Sequence, residues 1–345
     1  MDLTYNSYRL KFKRPGGTSR GVLTEKETFL IRLNHLNQID NEFIAECGIF
    51  RGLSFDDTPE FEKKLDEVCK NFNFDNPDWW EELRAFPAIQ FGLEQLLKAQ
   101  ENYKEKKIQD PYNPILFPSP FTGGKAGIPI NGLIWMGSPD FMKEQIQEKI
   151  EQNFRCIKLK IGVNWGEEYE IIQKLRKEFH SNELEIRVDA NGAFSFQKAK
   201  TVLNQLADLE IHSIEQPIKA GQIQEMAELC AQTPTPIALD EELIGVVQNE
   251  DKKRLLETIN PQYIILKPSL VGGWKGSREW IDLAENSKAG WWITSALESN
   301  IGLNAIAQWT FTLENPMPQG LGTGALFTNN FPSRLKVQND QLYFL

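Results

Sequence analysis

Charged residues stand at or near the ends of five short apolar segments, and their types and spacing make them the candidates for chemistry. The segments cover residues 157–161, 186–191, 214–217, 237–241 and 264–268. Each is typical of a buried strand, and in a barrel of parallel strands the C-terminal strand ends meet at one mouth. Lysines and carboxylates would then share one cavity, which is costly unless the carboxylates bind a cation and the lysines take part in a reaction.

Lys158 and Lys160 are two positions apart on a predicted strand, so their side chains point to the same face. The apolar residues at 157, 159 and 161 would pack outward against helices. Two neighbouring ammonium groups repel each other and burial penalises the charged form, so we expect lysine pKa values lowered toward the range of a general base. The alternative is a pair of surface lysines on an edge strand, which the apolar neighbours disfavour.

Asp189, Glu215 and Asp240 end three consecutive predicted strands. Three carboxylates with open coordination positions form an oxygen site that suits Mg²⁺, with Mn²⁺ also possible. None of the three histidines ends a predicted strand, which disfavours zinc. The alternative is that each carboxylate only neutralises a lysine across the mouth. Lys267 ends the next strand, where it could be a second acid or base, a fixed positive charge or half of a structural ion pair.

Strands alternate with amphipathic helices from residue 133 onward, beginning with a strand at 133–136 and a helix at 140–152. About eight such units can be counted, which is the number that closes a barrel. An open, doubly wound sheet is the competing topology. Such sheets usually carry a glycine-rich phosphate turn after the first strand, and none follows residue 136. The pattern therefore favours an α/β fold of the TIM-barrel type.

The first part of the chain has a different pattern, in which three strand-like segments precede two helical ones. Strands followed by helices are typical of a separate α+β unit. A stretch rich in proline and glycine near residues 110–127 is the expected linker. We predict an α+β domain over residues 1–115, a barrel over 116–326, and a tail over 327–345 that packs back on the first domain.

The composition is that of a soluble globular protein, with 345 residues, 41% hydrophobic and 25% charged. The formal net charge of −10 argues against a nucleic-acid partner, because neutralising phosphates requires a basic face. No apolar run approaches the roughly 20 residues of a membrane span, and no signal peptide is recognisable at the N-terminus. The four cysteines are far apart, which is typical of free thiols in the cytoplasm.

Taken together, the motifs resemble those of the enolase superfamily, and within it the muconate-lactonising subgroup. They are K-x-K at 158–160, D-A-N-G at 189–192, E-Q-P at 215–217, D-E at 240–241 and K-P at 267–268. The resemblance implies a (β/α)7β barrel under an N-terminal α+β capping domain. It also implies Mg²⁺ bound to Asp189, Glu215 and Asp240.

The same resemblance implies a role for each remaining charged residue of the motifs. Lys160 and Lys267 correspond to lysine bases, and Lys158 would tune Lys160 and orient a substrate carboxylate. Asn191 and Glu241 match positions that support the ligands rather than bind the metal. The reaction step common to the family is removal of a proton beside a carboxylate, with the metal offsetting the charge that develops.

Three features favour the branch of the subgroup that eliminates water from 2-succinyl-6-hydroxy-2,4-cyclohexadiene-1-carboxylate in menaquinone biosynthesis. Dipeptide epimerases of this type carry an acidic D-x-D where residues 320–324 read G-L-G-T-G. Residues 295–300, S-A-L-E-S-N, resemble an S-x-L-E-S segment of the water-eliminating branch, and a helix that begins there could bind a carboxylate. Two glycines after the sixth strand resemble a loop of that branch, although an ordinary turn is the alternative. The substrate-binding candidates from these segments are Ser295, Glu298, Ser299, Gly272 and Gly273.

In this mechanism Lys160 removes the α-proton and returns it to the leaving hydroxyl, while Lys267 stays protonated against the ring face. Two loops of the first domain, at 15–20 and 50–53, could close the mouth, and Arg20 and Arg51 within them could pair with a substrate carboxylate. Plain hairpin turns are the alternative.

An N-acylamino acid racemase or dipeptide epimerase is the alternative function. All three candidate metal carboxylates and all three lysines are present, which disfavours a non-catalytic barrel. The oligomeric state is not determined, with a monomer favoured.

Overall fold

The computed structural model describes residues 2–34, 42–103 and 110–345. The strands are β1 (Asp2–Thr18), β2 (Gly21–Asn34), β3 (Glu42–Cys47), β4 (Ile128–Pro129), β5 (Gly132–Ile134), β6 (Cys156–Lys160), β7 (Glu185–Asp189), β8 (Ser213–Glu215), β9 (Ile237–Leu239), β10 (Tyr263–Leu266), β11 (Gly290–Ile293), β12 (Leu335–Gln338) and β13 (Gln341–Phe344). The α-helices are α1 (Glu60–Asn71), α2 (Pro77–Glu82), α3 (Pro87–Tyr103), α4 (Pro139–Glu151), α5 (Trp165–Glu178), α6 (Phe196–Ala207), α7 (Ile223–Gln232), α8 (Asn249–Ile259), α9 (Pro268–Val271), α10 (Gly273–Ser287) and α11 (Asn300–Thr312). None of the described helices is both long and apolar enough to span a membrane.

The N-terminal unit is an antiparallel sheet in the order β1-β2-β3, with helices α1 and α3 against it. Its core contains fully buried aromatic and aliphatic side chains, among them Phe29, Ile31, Phe61 and Phe91. The order of strands before helices agrees with the prediction. The strands β1 and β2 are much longer than predicted, because they pair continuously as a hairpin with one register shift between Lys11 and Gly16.

Seven parallel strands form the central sheet, in the order β11-β10-β9-β8-β7-β6-β5. Helices α4 to α10 connect them, and helix α11 follows β11. Side chains such as Ser138 and Ser195 cap helix N-termini by accepting from backbone N–H groups. The short helix α9 was not predicted from the sequence. The predicted α/β class, with a curled parallel sheet, is confirmed.

A short segment after α11 lies between the two edges of this sheet. Gly320 N donates to Ile293 O at 2.8 Å, and Gln319 N donates to Pro129 O at 2.8 Å. Parallel bridges join Gly320 to Thr294 and Gln319 to Ile130. The last strand was predicted near residue 321, and the structure has two bridged residues, Gln319 and Gly320, just before that position.

The hairpin of β1 and β2 extends across to the central sheet. Gly17 forms an antiparallel bridge with Met136, and a side-chain carbon at Gly17 would lie only 2.2 Å from Met136 O. Only glycine permits this approach of two backbones. The contact places the hairpin turn, including Arg20, beside the C-terminal ends of the parallel strands.

The tail contacts both parts of the molecule. Thr328 N donates to Lys11 O at 2.9 Å and Tyr8 Oη donates to Asn329 O at 2.7 Å, which joins the start of the tail to β1. Strand β13 pairs instead with β4, so that Leu342 is opposite Ile128. The domain boundaries at residues 115 and 326 stay predictions.

Gly320→Ala is expected to lower the free energy of unfolding by roughly 1–3 kcal/mol, because its methyl carbon would lie 2.0 Å from Thr294 Oγ1. Gly322→Ala is the matched control, since its nearest neighbours would be 3.5 Å away. Urea unfolding followed by circular dichroism measures both variants. Equal unfolding free energies for the two would contradict the close packing of this segment between the sheet edges.

Candidate active site

Six ionisable side chains meet at the C-terminal ends of β6 to β10. They are Lys158, Lys160, Asp189, Glu215, Asp240 and Lys267. The parallel register brings the strand ends side by side, with Lys160 opposite Asp189 and Asp189 opposite Glu215. None of the six is more than 9% exposed. The structure thus brings together the groups predicted from strand-end positions.

The three lysines are hydrogen bonded to the three carboxylates. Lys158 Nζ donates to Glu215 Oε2 at 2.6 Å and to Asp189 Oδ2 at 3.3 Å. Lys160 Nζ donates to Asp189 Oδ2 at 2.5 Å, and Lys267 Nζ donates to Asp240 Oδ2. Ile157 and Leu159 are fully buried on the opposite face of β6, as alternation requires.

These contacts correct the expected direction of the lysine pKa shift. Burial acts to lower the pKa of Lys158, but attraction to Glu215 and Asp189 outweighs it, and the pKa is raised. For Lys267 burial is likewise outweighed, by Asp240 first, and its pKa is also raised. The repulsion between neighbouring ammonium groups is therefore smaller than their attraction to the carboxylates.

The carboxylates respond in opposite ways to the same cluster. Burial and repulsion by Asp189 raise the pKa of Glu215 to about 7. Burial, followed by repulsion from Glu241, raises the pKa of Asp240. Burial would raise the pKa of Asp189 as well, but the adjacent lysines lower it, Lys160 most strongly. Three buried carboxylates at this separation repel one another, and added positive charge would stabilise them.

The donor set fits a hard divalent cation. Glu215 Oε1 is buried and has no hydrogen-bond partner among the described residues. Asp189 and Asp240 flank it on the neighbouring strands, and carboxylate oxygens are the ligands that Mg²⁺ prefers. Over the described ranges, no three acidic, histidine or cysteine side chains stand in ligand geometry. The carboxylates of the cluster are hydrogen bonded to lysines instead.

Asn191 and Glu241 link the cluster to the N-terminal hairpin. Lys160 Nζ donates to Asn191 Oδ1 at 2.9 Å, and Asn191 Nδ2 donates to Glu241 Oε1 at 3.0 Å. Arg20 Nη1 donates to the same oxygen at 2.5 Å. Both residues predicted to support the site therefore contact it. Arg20 reaches the site through Glu241.

A cavity opens above the three lysines of the cluster. The N-terminal unit contributes Thr18, Arg20, Leu23, Phe50 and Leu53 to its lining. The central sheet and the segments adjoining its strands contribute Asn131, Leu133, Trp135, Lys158, Lys160, Lys267, Thr294, Ser295, Ala296, Leu297, Gly320, Gly322 and Thr323. The cavity has three lysine side chains at its base and mostly apolar walls, which suits an apolar ring that carries an acidic group.

Of the predicted substrate-binding residues outside the motifs, Ser295 and Arg20 line the cavity. Ser295 Oγ is 2.7 Å from Thr323 Oγ1, so the two hydroxyls form one polar patch. Sequence reasoning missed Thr323, Trp135 and Leu23. Trp135 could have been found, because it falls within the predicted strand 133–136, near its end.

Arg51, Glu298 and Ser299 are not brought to the cavity. Arg51 pairs with Glu27 at 2.7 Å and with Asp57 at 2.8 Å on the N-terminal unit. The Glu298 side chain accepts from Ser269 Oγ at 2.6 Å and from Ala296 N at 2.7 Å.

Ser299 caps helix α11, and its N–H and hydroxyl both donate to Glu46. In each of these three residues, nearer charged or polar partners hold the side chain away from the mouth.

Gly272 and Gly273 also lie away from the cavity. Gln90 Nε2 donates to Gly272 O at 2.7 Å, and a side-chain carbon at Gly273 would lie 2.2 Å from Glu94 Oε2. Both glycines have positive φ, at 96° and 67°. Their backbone conformations permit helix α10 to begin against helix α3. The ordinary turn, given in the sequence analysis as the alternative to a substrate-binding loop, therefore explains both glycines.

Comparison with known proteins places the chain in a family. The model of the enolase C-terminal domain-like family matches residues 141–343. The chain belongs to the enolase superfamily. It is 43% identical to the o-succinylbenzoate synthase of Desulfotalea psychrophila, over 99% of this chain and 98% of that protein.

Two solved structures extend this comparison. The crystal structure of MenC from Desulfotalea psychrophila has a TM-score of 0.80 and 39% identity, and covers 99% of both chains. The dipeptide epimerase of Enterococcus faecalis, solved with Mg and the dipeptide L-Leu-L-Tyr, has a TM-score of 0.81 at 16% identity. It covers 99% of this chain and 96% of that chain, and at this identity the likeness concerns the fold.

Mg²⁺ is expected to bind the wild-type protein, and Glu215→Gln is expected to weaken that binding by roughly tenfold or more, because a charged oxygen ligand is lost. Isothermal titration calorimetry measures both affinities. Glu228→Gln is the control, since Glu228 forms an exposed ion pair with Lys200 at 2.5 Å. Unchanged affinity in Glu215→Gln would contradict the assignment of this carboxylate as a ligand.

Proposed function

We propose that the chain is an o-succinylbenzoate synthase that converts 2-succinyl-6-hydroxy-2,4-cyclohexadiene-1-carboxylate to 2-succinylbenzoate and water. The observation that carries the proposal is 43% identity, over 99% of the chain, to a protein of that name. The site supports it, because lysines lie beneath a largely apolar cavity. The substrate is a small carboxylic acid with an apolar ring.

We further propose that the parallel sheet closes as a (β/α)7β barrel, with residues 319–320 as its eighth strand. The bridges from these residues to both sheet edges support that arrangement. Residues 1–115 would form the capping domain, and the cavity lies where its hairpin turn meets the barrel mouth. Substrate would then be enclosed between the two units.

Asp189, Glu215 and Asp240 are the proposed ligands of Mg²⁺, and Asn191 and Glu241 hold neighbouring groups in place. When bound, a divalent cation offsets the second negative charge that develops on the substrate carboxylate as its α-proton leaves. Ligation of the carboxylates would release the lysine ammonium groups from their present hydrogen bonds. The lysines would then be free to turn toward the substrate.

Lys160, as the neutral amine, takes the proton from C1 of the substrate. The electron pair of that C–H bond then forms the ring double bond as the bond between C6 and its hydroxyl oxygen breaks. The Lys160 ammonium returns the proton to the leaving oxygen, so water departs and the ring becomes aromatic. One base suffices because the proton and the hydroxyl leave from the same face.

Lys267 and Lys158 act as fixed charges in this proposal. Lys267 would remain an ammonium group near the ring face, where a cation–π contact with the ring favours the charged form. Lys158 would likewise carry a positive charge and orient the substrate carboxylate. Charged lysines at these two positions strengthen binding of the developing anion without taking part in proton transfer.

A racemase or epimerase of the same superfamily is the second candidate. The observation in its favour is that two lysines, Lys160 and Lys267, face the same carboxylate cluster from β6 and from the end of β10. Such an enzyme would exchange the α-proton of an N-acylamino acid with solvent deuterium from both faces. Exchange from both faces, without turnover of the cyclohexadiene substrate, would favour it over the synthase.

The wild-type protein is expected to convert the hydroxycyclohexadiene carboxylate to the aromatic product in the presence of Mg²⁺. Chelation by EDTA is expected to reduce the rate to background, because the anionic intermediate loses its stabilising charge. Added Mg²⁺ is expected to restore the rate. Ultraviolet absorbance follows the reaction. Absence of conversion by a metal-loaded protein would overturn the synthase proposal.

Lys160→Ala is expected to lower kcat by roughly 10²- to 10⁴-fold, as loss of a general base does, with Mg²⁺ affinity retained. Lys200→Ala, at an exposed lysine outside the cavity, is the control. Steady-state kinetics with the same substrate compares the two. Near-normal turnover by Lys160→Ala would exclude this lysine as the base.

A further inference from the structure

Lys26 is a buried cation that the proposed mechanism does not use. It lies on β2, is 6% exposed, and its Nζ has no hydrogen-bond partner among the described residues. Lysine is almost never fully buried without a partner, because removing an ammonium group from water is costly. A buried lysine without a hydrogen-bond partner among the described residues is therefore a candidate for binding a group from outside the chain.

The position of Lys26 places it beside the cavity. Lys26 is opposite Leu10 across the β1–β2 hairpin, and directly opposed residues share one face of a sheet. Leu10 packs in a cluster with Trp135 and Leu297, both of which line the cavity. Lys26 Nζ is 5.9 Å from the ring centroid of Phe50, another lining residue. The ammonium group is therefore adjacent to the apolar wall that the N-terminal unit contributes.

The nearest carboxylates already have other partners. Glu298 accepts from Ser269 and Ala296, and Glu46 accepts from Thr28 and from the start of helix α11. Burial lowers the pKa of Lys26, and attraction to Glu298 and Glu46 only partly opposes that effect. Within the described structure, the positive charge of Lys26 is thus incompletely compensated.

The cations that line the cavity differ from Lys26 in this respect. Arg20, Lys158, Lys160 and Lys267 each donate to a protein carboxylate. The substrate proposed above carries two carboxylates. One is at the reacting carbon, and the other ends the succinyl side chain. The first belongs with the lysines at the base of the cavity, which leaves the second without an assigned partner.

We propose that Lys26 binds the distal, non-reacting carboxylate of the substrate's succinyl side chain. This inference rests on the proposed function. The flexible four-carbon stem of lysine lets its ammonium group reach past the Phe50 ring to an anion in the cavity. Binding would give the buried ammonium the partner that the chain does not provide, and would select substrates with a side-chain carboxylate of suitable length.

Selection of this kind is a difference in affinity between two ligands. A buried group that forms a charged hydrogen bond with one ligand is left unpaired by an analogue that lacks the matching group. The product 2-succinylbenzoate and 2-butanoylbenzoate form such a pair, since the analogue replaces the distal carboxylate by a methyl group. Both retain the ring carboxylate and the ketone.

Calorimetric titration of the Mg²⁺-loaded protein with both compounds tests the proposal. The wild type is expected to bind the product roughly tenfold or more tightly than the analogue. Lys26→Met is expected to lose this preference by weakening binding of the product alone, and Lys26→Arg to keep most of it. Lys13→Met, at an exposed lysine of the same hairpin, is the matched control and should behave as wild type.

Equal affinity of the wild type for the two compounds would overturn the role of Lys26, and that result requires no variant to fold. Equal weakening of both compounds by Lys26→Met would also overturn it, because an internal counter-ion for Glu298 would act in this way. In steady-state kinetics, Lys26→Met is expected to raise KM and preserve kcat. Failure of the wild type to turn over the substrate would instead reject the proposed function.

Discussion

The close packing of lysines and carboxylates at the C-terminal ends of the parallel strands is the constraint on which the rest of the site depends. Six buried ionisable groups cannot be left uncompensated at the centre of a fold, and here they neutralise one another. That balance raises the pKa of Lys158 and lowers that of Asp189. It also leaves Glu215 Oε1 without a hydrogen bond, the feature that best indicates a divalent cation.

Carboxylates of the N-terminal unit attach that unit to the sheet in the same electrostatic way. Glu46 accepts from the N–H groups of Ser299 and Gly302 at the start of α11. Glu94 accepts from Trp274 N at the start of α10. A carboxylate at a helix N-terminus is favourable, because unpaired N–H groups point toward it. These contacts join the N-terminal unit to helices α10 and α11.

The inference about Lys26 follows from the same accounting of charges. At the base of the cavity each lysine has a carboxylate nearby, whereas beside Phe50 of the cavity wall the amino group of Lys26 is buried without a hydrogen-bond partner among the described residues. Proton transfer at the reacting carbon does not require the amino group of Lys26. A substrate with a second carboxylate would use it, and the proposal would then link specificity to the N-terminal unit and proton transfer to the parallel sheet.

The sequence by itself determined which side chains meet at the strand ends, because alternation along a strand and the convergence of parallel strands are local and general rules. The same rules indicated Lys160, Asp189 and Glu215 without knowledge of any contact. Only the tertiary structure decided that Ser295 lines the cavity while Ser299 turns to Glu46. It also decided the direction in which lysine pKa values shift. Both outcomes depend on partners from distant parts of the chain, and sequence spacing does not reveal which partner is nearest.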